Sequence, residues 1–229
     1  MKETTIIIDG APFTYYDEID DISYDTISPI SNDEAKKLLE LTKKLFTQKG
    51  LRFSLIFGTL LGAVRDNSVI NGDEDVDVFV DSEEKLRSIL PFLQENGLCL
   101  CRIIEKNLYS FRDRGSKSYI DVYFKRSISG VWGWRYCYLC WHVLPKKFIK
   151  QLSPIDFLGG SYLAPKRPVR FLEFWYGKTW KVPISGDHNK HGITVYDNWN
   201  STKGVNKAKR ILMLVKTIAK QFVSGEKVY

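Results

Sequence analysis

The stretch "FGTLLGAVRDNSVINGDEDVDVFV", residues 57–80, decides the fold. A small-residue turn follows an apolar strand and opens a short apolar helix. The stretch ends with Asp75 and Asp77 alternating with Val76 and Val78. Residues i and i+2 of a strand share a face. Asp75 and Asp77 therefore project together while the valines pack behind them. Two adjacent carboxylates repel, more strongly away from water. A divalent cation between them relieves that repulsion, and hard oxygen ligands suit Mg²⁺ or Mn²⁺.

Working outward, Asp121 interrupts the apolar run "SYIDVYF" (118–124). Alternation puts Ile120, Val122 and Phe124 on one face and Tyr119, Asp121 and Tyr123 on the other. If this strand lies beside 76–80, Asp121 is the third carboxylate of the metal set. Asp73 and Glu74 fall in the loop just upstream and are less well aimed. On the other side of the stretch, Gly58-Thr59 follows a strand and begins a helix. Such a junction offers backbone N–H groups and the positive end of a helix dipole, a cradle for phosphate. Arg65, at the far end of that helix, adds positive charge for the same anion. A helix N-terminus facing a carboxylate metal site is an arrangement for phosphoryl or nucleotidyl transfer.

The flanking elements give the fold class. "SNDEAKKLLELTKKLFTQKG" (31–50) reads as a helix with Ser31 and Glu34 as a capping box. "RFSLIF" gives a strand over 53–57, "TLLGAVRD" a short helix and "VDVFV" a strand over 76–80. "SEEKLRSILPFLQENG" (82–97) is a helix capped by Ser82 and stopped at Gly97. "LCLCRII", "NLYSFRD" and "KSYIDVYF" are three strands with tight turns. Residues 4–8, "TTIII", pair with "FTYY" as a hairpin, followed by an acidic loop. The sum is an α/β (α+β) fold, a mixed sheet flanked by helices. Past residue 143 come loops with helical pieces, "PKKFIKQL" and "PKRPVRFLEFWYGKTW". The last is a basic amphipathic helix, "NKAKRILMLVKTIAKQF". The expected division is an N-terminal extension over 1–30, a catalytic core over 31–143 and a C-terminal part over 144–229 that completes the domain.

The bulk numbers set limits. The chain has 229 residues, 44% of them hydrophobic, enough for a sizeable core. Its net charge of +7 favours anionic partners. Nothing resembles an RNP, KH or helix-turn-helix motif, so nucleic acid is not the expected partner. Apolar runs fall short of the ~20 residues that span a bilayer. "MKETTIIIDGAPF" makes a poor signal peptide. A cytoplasmic protein is expected. The terminal helix has two readings, one packed on the domain and one in peripheral contact with the inner face of an anionic membrane. Cys137, Cys140 and His142 in "CYLCWH" sit in an aromatic strand and read as core rather than as half a zinc site. Cys99 and Cys101 alternate on one face of a strand as reduced core thiols. His188 and His191, in the polar run "DHNKHG", stay outside the catalytic set. Trp132 and Trp134 read as core.

The segment from Gly58 to Val78 resembles the hallmark of the LicD/fukutin-related family, whose usual form is GTLLGAxRxxGFIPWDDDxDI. "YIDVYF" around Asp121 and "LAPKRPVRFLEFWYGKTWKVP" are also similar to that family, the latter with Tyr176, Gly177 and Trp180 in place. Here Ser68-Val69 replaces Gly-Phe, Asn71-Gly72 replaces Pro-Trp, and Glu74 replaces an Asp. The resemblance implies a nucleotidyltransferase-like fold and transfer of a phospho-alcohol, such as phosphocholine or ribitol phosphate, from a CDP-linked donor to a glycan or lipid-linked glycan. Carried over, Asp75 and Asp77 are the metal-binding pair and Asp121 the third carboxylate, also placed as a base. Gly58 and Thr59 become the phosphate-binding turn. The alternatives are a strict nucleotidyltransferase moving NMP from NTP and an inactive relative that only binds ligand.

Overall fold

The computed structural model describes residues 2–18, 28–128, 131–140 and 142–183, together with Leu212, Val215, Lys216 and Ala219. Those four are helical; the rest of the terminal basic segment, His188, His191 and most of the N-terminal acidic patch lie outside the described residues.

The N-terminal pair forms as expected: β1 (Lys2–Ile8) and β2 (Ala11–Asp17) are an antiparallel hairpin. Helix α1 (Asn32–Gln48) begins on the capping box, with Ser31 Oγ accepting from the Glu34 amide and Glu34 accepting from the Ser31 amide. Its buried stripe is Ala35, Leu38, Leu39, Leu45 and Phe46. Strand β3 (Phe53–Leu55) is shorter than its apolar run, because Phe57 already starts α2 (Phe57–Arg65). Strand β4 (Asp75–Val80) follows. Patterning predicts one helix over 82–97. The structure has two, α3 (Glu83–Ser88) and α4 (Leu90–Glu95). Pro91 has no N–H to return to the preceding turn, and the helix breaks there.

Strands β5 (Leu98–Ile104), β6 (Leu108–Asp113) and β7 (Tyr119–Phe124) come next. A small sheet of β8 (Arg126–Ser127), β9 (Tyr136–Leu139) and β10 (His142–Pro145) stands apart. Cys137 and Cys140 are buried in or beside β9. Trp134, expected in the core, is 62% exposed beneath the Arg135 guanidinium. Past residue 143 the structure adds to the short α5 (Lys147–Lys150) a hairpin that patterning does not announce: β11 (Leu152–Phe157) and β12 (Gly160–Pro165). Helix α6 (Pro168–Tyr176) closes the described fold.

The main sheet has seven strands in the order β11-β12-β3-β4-β7-β6-β5. It is mixed: β12 runs parallel to β3 and β4 parallel to β7, and the other pairs are antiparallel. Val76, Ile120, Phe111 and Leu100 form one rung across four strands, all buried. Their neighbours on the next rung are polar and carry the site.

Candidate active site

That polar rung reads Asp77, Asp121, Ser110, Arg102 across β4, β7, β6 and β5. One rung over on the same face stand Asp75, Tyr119, Arg112 and Cys99. Strand pairing thus places Asp75, Asp77 and Asp121 on one face, with Asp77 and Asp121 directly opposite. Asp77 and Asp121 are buried; Asp75, at the strand's start, is half-buried.

Asp77 is tied to the head of α2 three ways. The Gly58 amide donates to its Oδ2 at 2.9 Å, its own amide donates to Thr59 Oγ1 at 2.7 Å, and the Ile56 amide donates to its carbonyl at 3.2 Å. Gly58 and Thr59, expected as a phosphate turn, hold this carboxylate. A side chain at 58 has no room: a Cβ there would lie 2.8 Å from Asp73 Oδ2 and 3.1 Å from Asp77 Oδ2. Asp73, set aside as a loop residue, therefore brings its carboxylate to the same point. Phe57 makes the turn with φ 46°, a left-handed conformation costly for a bulky residue. Its ring is held between Tyr123 (4.8 Å between centroids, edge-on) and Trp175 (4.4 Å).

Burial, then Asp77 and Asp121, push the Asp75 carboxyl well above the ordinary carboxylate range. Burial, then Asp73 and Asp121, do the same to Asp77, against the Gly58 amide and the Tyr123 hydroxyl. Burial also raises Asp121, but Arg102 and Ser110 favour its charged form. Arg102 Nη2 donates to both Asp121 oxygens at 3.0 Å, Arg102 Nε donates to Ser110 Oγ at 2.8 Å, and Ser110 Oγ donates to Asp121 Oδ1.

Arg65 Nη2 contacts its neighbour Asp66 at 2.7 Å, with the guanidinium largely covered. It also acts on Tyr176, whose hydroxyl is raised by burial and then by Asp77, Asp73 and Asp75. The C-terminal "WYG" segment thus reaches the carboxylates although some hundred residues separate it from them in sequence.

These side chains suit a divalent cation. Among the described residues no three His, Cys, Asp or Glu side chains form a ready cage. Mg²⁺ is commonly held by one or two carboxylates plus substrate phosphates rather than by an all-protein cage. Asp75 and Asp77 could supply that pair, and a cation between them would relieve their mutual repulsion.

Sequence reading missed Arg102 and Ser110, and it left Asp73, Tyr123 and Tyr176 outside the site. Tyr123 was legible, sharing a face with Asp121. Arg102 carried a signal too: strict alternation puts it on the apolar face of Leu100, a conflict that a bulge resolves. Cys101 is the extra residue, so it does not alternate regularly with Cys99 as expected.

The family profile described as LicD/FKTN/FKRP, nucleotidyltransferase domain, matches residues 50–167, more than half the chain. The chain belongs to this family. The match runs from the turn after α1 through β12 and contains Asp73, Asp75, Asp77 and Asp121. The ribitol-5-phosphate transferase FKTN of Mus musculus is 29% identical over 178 residues, covering 72% of this chain and 37% of that protein. The same-named protein of Homo sapiens is 28% identical over 162 residues, 66% of this chain and 34% of that one. An uncharacterized protein, RP689, of Rickettsia prowazekii (strain Madrid E) is 36% identical over 73 residues, 30% of this chain and 27% of that one. This LicD/FKTN/FKRP-family chain therefore spans about a third of the length of the FKTN relatives it matches.

Proposed function

We propose that this protein is a Mg²⁺- or Mn²⁺-dependent transferase. In this reading it moves a phospho-alcohol, phosphocholine- or ribitol-phosphate-like, from a CDP-linked donor to a hydroxyl of a glycan or its lipid-linked precursor. The observation that carries the reading is the pair Asp75 and Asp77, on one face of a central strand inside the family-matched span, with Asp77 clamped to the head of α2. The ribitol-5-phosphate transferase name of the FKTN relatives supports the class of group moved.

Asp75 and Asp77 are the residues that would hold the cation, with Asp121 beside them. When bound, the cation supplies charge neutralisation on the donor phosphates and on the developing leaving group. Asp77 is kept aimed by the Gly58 amide and Thr59 Oγ1. Asp121, held in place by Arg102, takes the proton of the acceptor hydroxyl at a carboxylate oxygen. The acceptor oxygen then bonds to the phosphorus that carries the alcohol, and the bond from that phosphorus to CMP breaks. On the donor-phosphate side Arg65 supplies positive charge, while Gly58 and Thr59 act by holding Asp77.

The test is CMP release from CDP-choline, CDP-ribitol, CDP-glycerol and CDP-ethanolamine, with acceptor and Mg²⁺, and with Asp75→Asn and Asp77→Asn as controls. Full turnover by either variant sinks the reading. Pyrophosphate from an NTP selects nucleotidyl transfer instead. Absence of Mn²⁺ binding, even with nucleotide present, selects an inactive binding relative.

We propose a cytoplasmic location, with two readings of the terminal helix kept: packed on the domain, or in peripheral contact with the inner face of the membrane. Among the described residues no helix is long and apolar enough to cross a bilayer. The basic terminal segment is the candidate contact. Co-sedimentation with anionic liposomes, lost on Lys209→Glu/Lys216→Glu, tests this; no binding by the wild type removes it.

A further inference from the structure

Arg102 is buried, at 7% exposure, on the face that carries Asp75, Asp77 and Asp121. Burying a guanidinium is costly unless its donors are met. Here Nε meets Ser110 Oγ, Nη2 meets both oxygens of Asp121, and Ser110 Oγ closes the triangle on Asp121 Oδ1. The guanidinium also lies over the Tyr119 ring, 5.4 Å from its centroid. All of Arg102, Ser110 and Asp121 stand on the rung that ends at Asp77.

The sheet takes an irregular course to achieve this. Leu100 pairs with Phe111 and Arg102 with Ser110, so Cys101 is looped out as a bulge. In a regular ladder Cys101 would oppose Ser110, and Arg102 would point among Leu100, Phe111 and Ile120. A bulge re-aims a side chain in this way. The thiol itself stays buried, donating to the Ser110 carbonyl at 3.3 Å.

We propose that Arg102 is the positioning residue for Asp121, delivered to the reacting face by the bulge at Cys101. It locks the plane of the Asp121 carboxylate relative to Asp77, and it acts only through Asp121. The inference rests on the transfer reading, because it gives Asp121 work at the reacting centre.

The test is a double-mutant cycle in the full chain, with Arg102→Met, Asp121→Asn and the double variant. Two quantities are read: Mn²⁺ affinity by electron paramagnetic resonance, and kcat and KM for CMP release. If Arg102 acts through Asp121, the effect of Arg102→Met on kcat and on Mn²⁺ affinity is lost in the Asp121→Asn background. Turnover falls about 10²-fold in kcat, the scale of a misplaced reacting group, with donor KM little changed. Free guanidinium ion restores turnover to Arg102→Ala in a saturable manner and does nothing for wild type. Effects that multiply in the double variant overturn the proposal, as does a folded Arg102→Met with wild-type kcat. Arg102→Lys, which keeps the charge but not the contact to Ser110, provides a second folded variant and is expected between the two. A wild type that binds Mn²⁺ yet releases no CMP fails the transfer reading instead, and the Mn²⁺ coupling still judges Arg102.

Discussion

The backbone amide of Gly58 donates to Oδ2 of Asp77 at 2.9 Å, joining the first turn of α2 to the centre of β4. This contact makes two distant sequence features one unit. The glycine is required because Asp73 Oδ2 would sit 2.8 Å from any Cβ at that position. Gly58→Ala is expected to keep the fold, seen as an unchanged circular dichroism spectrum. Turnover should fall by about 10²-fold, since the carboxylates must shift to admit a methyl group.

Thr59 Oγ1 is the acceptor for the buried amide of Asp77. Thr59→Val keeps the shape and removes the acceptor, at a cost of about 1–3 kcal/mol. Denaturant titration should show this as a lower midpoint with an unchanged slope. Thr59→Ser restores the acceptor and should recover most of the loss; equal stability of Val and Ser variants contradicts the contact's role.

Asp77→Asn is expected to lower turnover by about 10²–10³-fold, the scale for losing one preorganised charge. Its effect on the metal-free protein runs the other way. Asp77 ionises against burial, Asp73 and Asp121, so removing its charge should raise the melting temperature in chelator. Opposite signs for activity and apo-stability in one variant are the signature of a site built for a ligand rather than for the fold.

The same repulsion sets a pH dependence. Burial and neighbouring acids raise the Asp75 and Asp77 carboxyls above their unfolded value, about 3.9. With a raised folded-state value, the native protein binds more protons than the unfolded chain, so stability falls as pH rises through that window. Metal-free protein is expected to melt at higher temperature as pH is lowered from neutrality toward the ordinary carboxylate range. Saturating Mg²⁺ should flatten the trend, which melting curves across pH in chelator and in Mg²⁺ can check.

Much of this was legible in the chain. The alternation of Asp75 and Asp77 with Val76 and Val78 already implied one polar and one apolar face, because side chains alternate along a strand. The Ser31–Glu34 box marked the start of α1 within a residue, since capping is a local exchange of hydrogen bonds. Pro91 was visible too, and its missing N–H divides α3 from α4 where a continuous helix was expected. The hairpin of β11 and β12 was not legible, because its strands are short and joined to the sheet through β3, far away in sequence.

What the sequence by itself determined is which residues can carry the chemistry: two acids on one face of a strand, a third in a later strand, and a small-residue turn before them. Those follow from local periodicity. Only the tertiary structure decided how they meet. The register of β4 against β7 sets Asp77 opposite Asp121, the bulge at Cys101 turns Arg102 onto that rung, and the packing of α6 on α2 brings Tyr176 to the carboxylates. Register and bulges arise from hydrogen bonds between strands, and helix placement from burial of Phe57 and Trp175 against one another. Each joins residues remote in the chain, so no local pattern encodes it.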